Sequence, residues 1–121
     1  MRQALPWLAL FAAAILSPAL AQTAPSEKNG KAIYDKWCTP CHGGEAPRAG
    51  GPRALPGTVA LALKYDGTVP AVLEQRTNLT PAFIKSVVRR GLFGMPITRK
   101  TEISDAELED VVAHLTRNRK P

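Results

Sequence analysis

The sequence predicts a small all-α domain with long loops, and three features indicate this fold class. Two stretches, at 80–91 and 104–116, carry apolar residues at three- and four-residue intervals behind helix-capping residues. No stretch of useful length alternates apolar and polar residues as a half-buried strand would. Residues 43–57 are rich in Gly and Pro, which is typical of a loop, and a loop of that length usually wraps something.

The first 21 residues have the pattern of a secretory signal peptide. Arg2 precedes an apolar run at 4–16, and a small-residue Ala-Leu-Ala sequence stands before the expected cut. The run is too short to cross a bilayer comfortably, and Pro18 interrupts a helix there. We therefore predict cleavage, a periplasmic location and a mature domain over 22–121 that does not contact the membrane. Retention of the segment as an anchor is the alternative.

The charge of the chain indicates which classes of partner to expect. Lys and Arg number 16 against 10 Asp and Glu, a formal net charge of +6. The basic residues are scattered, with no aromatic ladder or recognition motif, so nucleic acid is not an expected partner. A solvated surface that favours acidic partners and steers a partner protein is the better interpretation.

The first helix is predicted over 27–37. Ser26 is a suitable N-cap, and Glu27 favours the positive end of the helix dipole. Gly30 and Tyr34 lie four residues apart, so they share one side of the helix, which can be buried.

The middle of the chain carries weaker signals. Residues 59–65 are apolar but of uncertain type, and Asp66-Gly67 predicts a turn. Pro70 suits the first position of a brief helix that ends near Arg76.

The two later helices have clear boundaries. Thr80 is the predicted N-cap of a helix over 81–90 that Gly91 terminates. Ser104 and Glu107 form a capping box that opens the last helix. The apolar face of that helix consists of Leu108, Val111, Val112 and Leu115.

Cys38-Thr39-Pro40-Cys41-His42 carries the chemistry, because Cys-x-x-Cys-His is the attachment site of c-type haem. Two cysteines three residues apart lie on one side of a helical turn, where both sulfurs can form thioethers with the haem vinyl groups. His42 then reaches the iron. The motif predicts one covalently bound haem c held by Cys38, Cys41 and His42.

Three other interpretations of the cysteines are weaker. A thioredoxin-like dithiol would follow a strand, whereas these cysteines follow a helical segment. A zinc site would need more ligands, and His114 is the only further histidine. A disulfide would leave His42 unexplained.

The sixth iron ligand must come from far along the chain, and Met95 is the candidate. It is the only methionine besides Met1 and lies in a loop between two helices. A thioether opposite histidine raises the reduction potential and suits an electron carrier, although a methionine can also simply fill a core. His114 lies among apolar residues of the last helix, where a packed side chain is the better interpretation. Without Met95 on the iron, the site would be open for a peroxide or a gas.

Metal-bound histidines are usually oriented by a second hydrogen bond, so the free ring nitrogen of His42 needs an acceptor. The carbonyl oxygens of Pro52 and Pro56 are both candidates, and the sequence does not choose between them. Arg53 and Arg76 could meet the haem propionates, but a surface arginine is the preferred interpretation of each.

On these residues the chain resembles a class I cytochrome c over nearly all of its mature length. In that family a glycine and an aromatic residue of the first helix pack across the last helix, as Gly30 and Tyr34 would. The last helix usually carries an aromatic residue where this chain has His114. The resemblance implies a small class I cytochrome c fold around one haem.

The stretches 30–36, 79–85 and Met95-Pro96 are similar to the cytochrome subunits of p-cresol methylhydroxylase and eugenol hydroxylase. That resemblance implies a non-catalytic subunit that accepts electrons from an FAD flavoprotein dehydrogenase and passes them to another periplasmic redox protein. A freely diffusing shuttle between respiratory complexes is the alternative.

Overall fold

The computed structural model describes residues 23–45 and 54–120, and these residues form a helical domain. Its α-helices are α1 (Glu27–Trp37), α2 (Thr39–His42), α3 (Pro56–Tyr65), α4 (Pro81–Arg90) and α5 (Asp105–Thr116), with a 3-10 helix at Leu73–Gln75. The described ranges contain no strand, and their only paired extended residues are the isolated bridge of Leu92 with Met95. The predicted all-α fold class is confirmed.

The predicted caps are present at three helix starts. The Ser26 hydroxyl accepts a hydrogen bond from the Asn29 amide, and the Thr80 hydroxyl accepts one from the Phe83 amide. Ser104 and Glu107 exchange the two hydrogen bonds of a capping box, at 2.7 and 3.2 Å. These local bonds explain why α1, α4 and α5 begin where the sequence predicts.

The α1–α5 crossing is the largest contact between helices and forms one wall of the core. A Cβ atom on Gly30 would lie 1.9 Å from the Asp110 carbonyl oxygen, so the two backbones touch at that point. Tyr34 is fully buried one turn further along. The core consists of Tyr34, Leu79, Ile84, Val88, Ile103, Leu108, Val111, Val112 and Leu115.

Two predictions for the middle of the chain need correction. The apolar segment at 59–65 belongs to α3, which already begins at Pro56, so the predicted loop over 43–57 ends earlier. The brief helix from Pro70 to Arg76 is wrong, because only Leu73–Gln75 is helical and it is of the 3-10 type. The Pro70 carbonyl oxygen accepts from the Arg76 side chain, at 2.9 Å, instead of from a helical backbone amide.

The N-terminal signal peptide over 1–21 and residues 46–53 of the loop lie outside the described residues. Among the residues that are described, no helix has the length and apolar character needed to span a membrane.

Candidate haem site

The helices enclose an apolar cleft that is open on one side. Counted out to its open side, it holds about 970 Å³ of empty space. Cys38 and His42 line it from the end of α1 and from α2, and Met95 lines it from the loop after α4. The fold thus brings three of the four predicted haem-binding side chains to one cavity. Cys41 is exposed and is not part of the described lining.

The Cys-x-x-Cys-His segment is a second short helix that starts directly where α1 ends. The last hydrogen bond of α1 runs from the Cys38 amide to the Tyr34 carbonyl oxygen, at 2.8 Å. The Cys38 carbonyl oxygen in turn accepts from the Cys41 and His42 amides at 3.1 and 2.8 Å. This turn places Cys38, Cys41 and His42 within one short helical segment, from which Cys38 and His42 line the cleft.

Both cysteines are free thiols, so the disulfide alternative is not formed in this structure. Burial, and then the neighbouring Cys41, raises the pKa of the Cys38 thiol to about 11. A redox-active dithiol works through a lowered thiol pKa, so the raised value argues against a thioredoxin-like role. No group of three or more His, Cys, Asp or Glu in the described ranges could hold a metal ion, which removes support for a zinc site.

The imidazole of His42 packs against Gly57 at the start of α3. A Cβ atom on Gly57 would be 2.7 Å from His42 Cε1 and 2.8 Å from Nδ1, so only glycine leaves room for the ring. Burial, and then the nearby Arg76 charge, lowers the pKa of His42. Both effects favour the neutral ring, which is the form that binds a metal. On the other side, the Tyr34 hydroxyl donates to the His42 carbonyl oxygen at 3.3 Å.

His42 Nδ1 is buried and has no hydrogen-bond partner among the described residues. The expected bond to the Pro56 carbonyl oxygen is therefore not formed. Pro56 is the first residue of α3, where a helical carbonyl oxygen accepts from the amide four residues on. Pro52, the other candidate, lies outside the described residues, and its role stays a prediction.

A tight turn carries Met95 into the cleft. Gly91 ends α4 with a φ of 71°, a conformation that favours glycine, and a Cβ atom there would be 2.7 Å from the Met95 carbonyl oxygen. Leu92 and Met95 exchange backbone hydrogen bonds of 3.2 and 3.0 Å around Phe93, whose φ is 53°. Met95 is half-buried and packs against the core. Its ligation of iron stays a prediction.

Arg76 is buried, and the preferred interpretation of a surface arginine is wrong for this residue. Its side chain is 3% exposed and lines the cleft, with the guanidinium carbon 4.3 Å from the centre of the Tyr65 ring. Nε donates to the Pro70 carbonyl oxygen, but Nη2 is buried without an acceptor in the described part of the chain. Leaving such a group unpaired costs about 1–3 kcal/mol or more, so a carboxylate acceptor at this place would be strongly favoured. Arg53 lies outside the described residues.

His114 lies away from the cleft, in contact with α1. Its Nε2 is 2.9 Å from Glu74 Oε1, and its ring centre is 5.6 Å from that of Tyr34. The histidine therefore fills the place of the aromatic residue that usually packs at this helix crossing. The structure gives no support to His114 as an axial ligand.

These residues fit a covalently attached haem. The cleft offers apolar walls for the ring, and a thiol, an imidazole and a thioether line it from different segments. The unpaired nitrogen of Arg76 suits a haem carboxylate. Sequence reasoning missed Gly57 and the burial of Arg76, and no signal in the sequence would have indicated either.

Comparison with known proteins gave one match. A protein-family model described as "Cytochrome C oxidase, cbb3-type, subunit III" matches residues 25–115. The match extends from just before α1 to the penultimate residue of α5 and includes the Cys-x-x-Cys-His segment and Met95. No curated protein and no solved structure gave a significant match.

Proposed function

This chain belongs to the cytochrome c family that the cbb3-type subunit III model describes, and from that premise we propose that it accepts single electrons from a periplasmic flavoprotein. It is an electron-transfer haem protein and not a catalyst of bond chemistry. The observation that carries the proposal is the cleft in which Cys38, His42 and Met95 meet between apolar walls.

Bound haem supplies a one-electron iron couple, and the residues of the chain set its surroundings. Cys38 and Cys41 would hold the ring through thioethers, and His42 and Met95 would ligate the iron. The unpaired Nη2 of Arg76 would donate a hydrogen bond to a carboxylate of the ring. No Asp or Glu lines the described part of the cleft.

The first test is the pigment itself. We expect protein purified from a periplasmic fraction to be coloured and to keep its pigment in acidified organic solvent, because two thioethers hold it. The Cys41→Ser variant should keep one thioether, and a variant that also lacks Cys38 should release the pigment. A colourless wild-type protein, or pigment that passes into the solvent, would show that the proposal is wrong.

The identity of the electron donor is the finer part of the proposal. The stretches 30–36, 79–85 and Met95-Pro96, similar to cytochrome subunits of flavoprotein dehydrogenases that oxidise p-cresol or eugenol, support it. We propose an FAD-containing dehydrogenase of alkylphenols as donor and another periplasmic redox protein as acceptor. Stopped-flow mixing with a reduced FAD-containing alkylphenol dehydrogenase should reduce the haem rapidly. An oxidised haem that persists under those conditions rules out this donor.

The formal net charge of +6 favours a second candidate, a shuttle that diffuses between respiratory complexes. Salt separates the two roles, because steering between exposed charges is screened at moderate ionic strength. A subunit should co-elute with its flavoprotein on gel filtration and keep its transfer rate as salt rises. A shuttle should elute alone and slow strongly with added salt.

A further inference from the structure

Arg89, near the end of α4, joins three parts of the chain through one guanidinium. Nη1 donates to the Thr98 carbonyl oxygen at 3.1 Å, and Nη2 donates to the Ile103 carbonyl oxygen at 2.9 Å. Nη2 also lies 2.9 Å from Asp105 Oδ1. The Arg89 side chain is only 20% exposed, whereas that of Asp105 is 64% exposed.

The segment that Arg89 holds is the one that carries Met95. Thr98 follows Met95 by three residues, and its amide donates to the Val88 carbonyl oxygen at 2.8 Å. Both backbone polar groups of Thr98 are therefore tied to consecutive residues of α4. The loop starts at Gly91, directly after α4, and returns to α4 at Thr98. Both ends of the loop are therefore fixed to this helix, and Met95 has little freedom to move.

The two carbonyl contacts matter more than the ion pair. The Asp105 carboxylate is exposed and also pairs with Lys100 at 2.6 Å, and exposed pairs of this kind contribute little. Ile103, in contrast, is 2% exposed and belongs to the core. A guanidinium can reach both carbonyl oxygens at once because its N–H groups form a planar fork, which an ammonium group lacks.

We propose that Arg89 is a positioning residue that keeps the Met95 sulfur at the haem iron by holding Thr98 and Ile103 against α4. The inference rests on the proposed function, in which Met95 is an axial ligand. Loss of the fork lets the loop swing out, so the fraction of molecules with an open iron position increases. The apparent affinity for an added ligand rises in proportion to that fraction.

The test uses haem-loaded protein in the ferric state, titrated with imidazole as the added ligand. We expect Arg89→Gln to bind imidazole about tenfold to a hundredfold more tightly than wild type, because two charge-assisted bonds are lost. The absorption band of the iron–methionine sulfur bond should weaken in parallel. Arg89→Lys keeps the charge but not the fork, so its imidazole affinity should lie between those of wild type and Arg89→Gln. It replaces Arg89→Gln as the test variant if that variant does not retain haem.

Two controls separate positioning from a general loss of stability. Arg90→Gln changes the neighbouring exposed arginine, which contacts only Ser86 in the described hydrogen bonds, and should leave imidazole affinity unchanged. Thr80→Ala removes the cap at the far end of α4 and lowers stability without touching the loop. Equal imidazole affinity in the Arg89 variants and wild type, or an equal rise in Thr80→Ala, overturns the inference. A wild-type protein without the sulfur band overturns Met95 ligation and the inference with it, while thioether attachment of haem is decided by the solvent test.

Discussion

Replacing Gly30 with alanine tests the closest backbone approach in the domain. A Cβ atom there would lie 1.9 Å from the Asp110 carbonyl oxygen and 2.9 Å from His114 Cβ, whereas ordinary contacts begin at 3.4 Å. The first of these atoms is backbone, so no side-chain rotation relieves the clash. Helices α1 and α5 must separate locally by about 1.5 Å, since close-packed interiors cannot absorb the overlap.

Two effects of opposite sign decide the outcome of Gly30→Ala. Alanine is favoured over glycine inside a helix by about 1 kcal/mol. Overpacking a core costs about 1–3 kcal/mol and occasionally more, and here it also loosens the contacts of the fully buried Tyr34. Because the clash is with backbone, we expect a cost near the upper end and a net loss of about 1–2 kcal/mol in the free energy of unfolding. For a domain of this size that corresponds to a melting temperature lowered by about 4–16 °C.

Thermal unfolding of the haem-loaded protein, followed by far-ultraviolet circular dichroism, measures this change. Ala32→Gly is the matched control, because Ala32 is an exposed position of α1, and its substitution reports the helix propensity alone. It should cost about 1 kcal/mol. If Gly30→Ala were as stable as wild type or more stable, the close approach of α1 and α5 would not exist.

Three further predictions concern the cleft. Gly57→Ala should displace the His42 ring, and we expect a shifted Soret band and lower haem retention; an unchanged spectrum would contradict the contact. Burial raises the pKa of Tyr34, so the unfolded chain loses this proton first, and stability should fall as pH rises above about 10, the ordinary tyrosine value. Tyr34→Phe should flatten that fall in alkaline denaturation curves, and an equally steep fall would assign it to other groups. Arg76→Leu removes a positive charge near the iron and should lower the reduction potential in a spectroelectrochemical titration, whereas a raised potential would contradict that placement.

The sequence predicts the helices whose boundaries are set by neighbouring residues. Thr80, Ser104 and Glu107 bond to amides within three residues, so their signals are local and can be read directly. Helix α3 lacks such a signal, because its N-cap is Leu55, which makes no side-chain hydrogen bond. The segment before Arg76 does carry a local helix signal, Pro70, but the folded chain overrides it. The Arg76 side chain bonds to the Pro70 carbonyl oxygen, which a helix would use for a backbone amide.

The residues of the candidate site also fall into those that local sequence predicts and those that it does not. Cys38, Cys41 and His42 are predicted because their chemistry lies within five consecutive residues, and Met95 because it is the single candidate thioether. The parts played by Gly57 and Arg89 depend on contacts with segments that only the folded chain brings near, so local pattern could not indicate them.

The crossing of α1 with α5 also determines the order in which the protein can be assembled. The Ser26 amide donates to Asp110 Oδ1 across 84 positions of sequence, and the surface that shelters Tyr34 belongs to the final helix. Such distant contacts form late, because a long stretch of chain has to close before they can. A chain that emerges amino end first therefore presents Cys38 and Cys41 in an open state until α5 arrives. Under the proposed function, haem would be joined to these thiols in that interval.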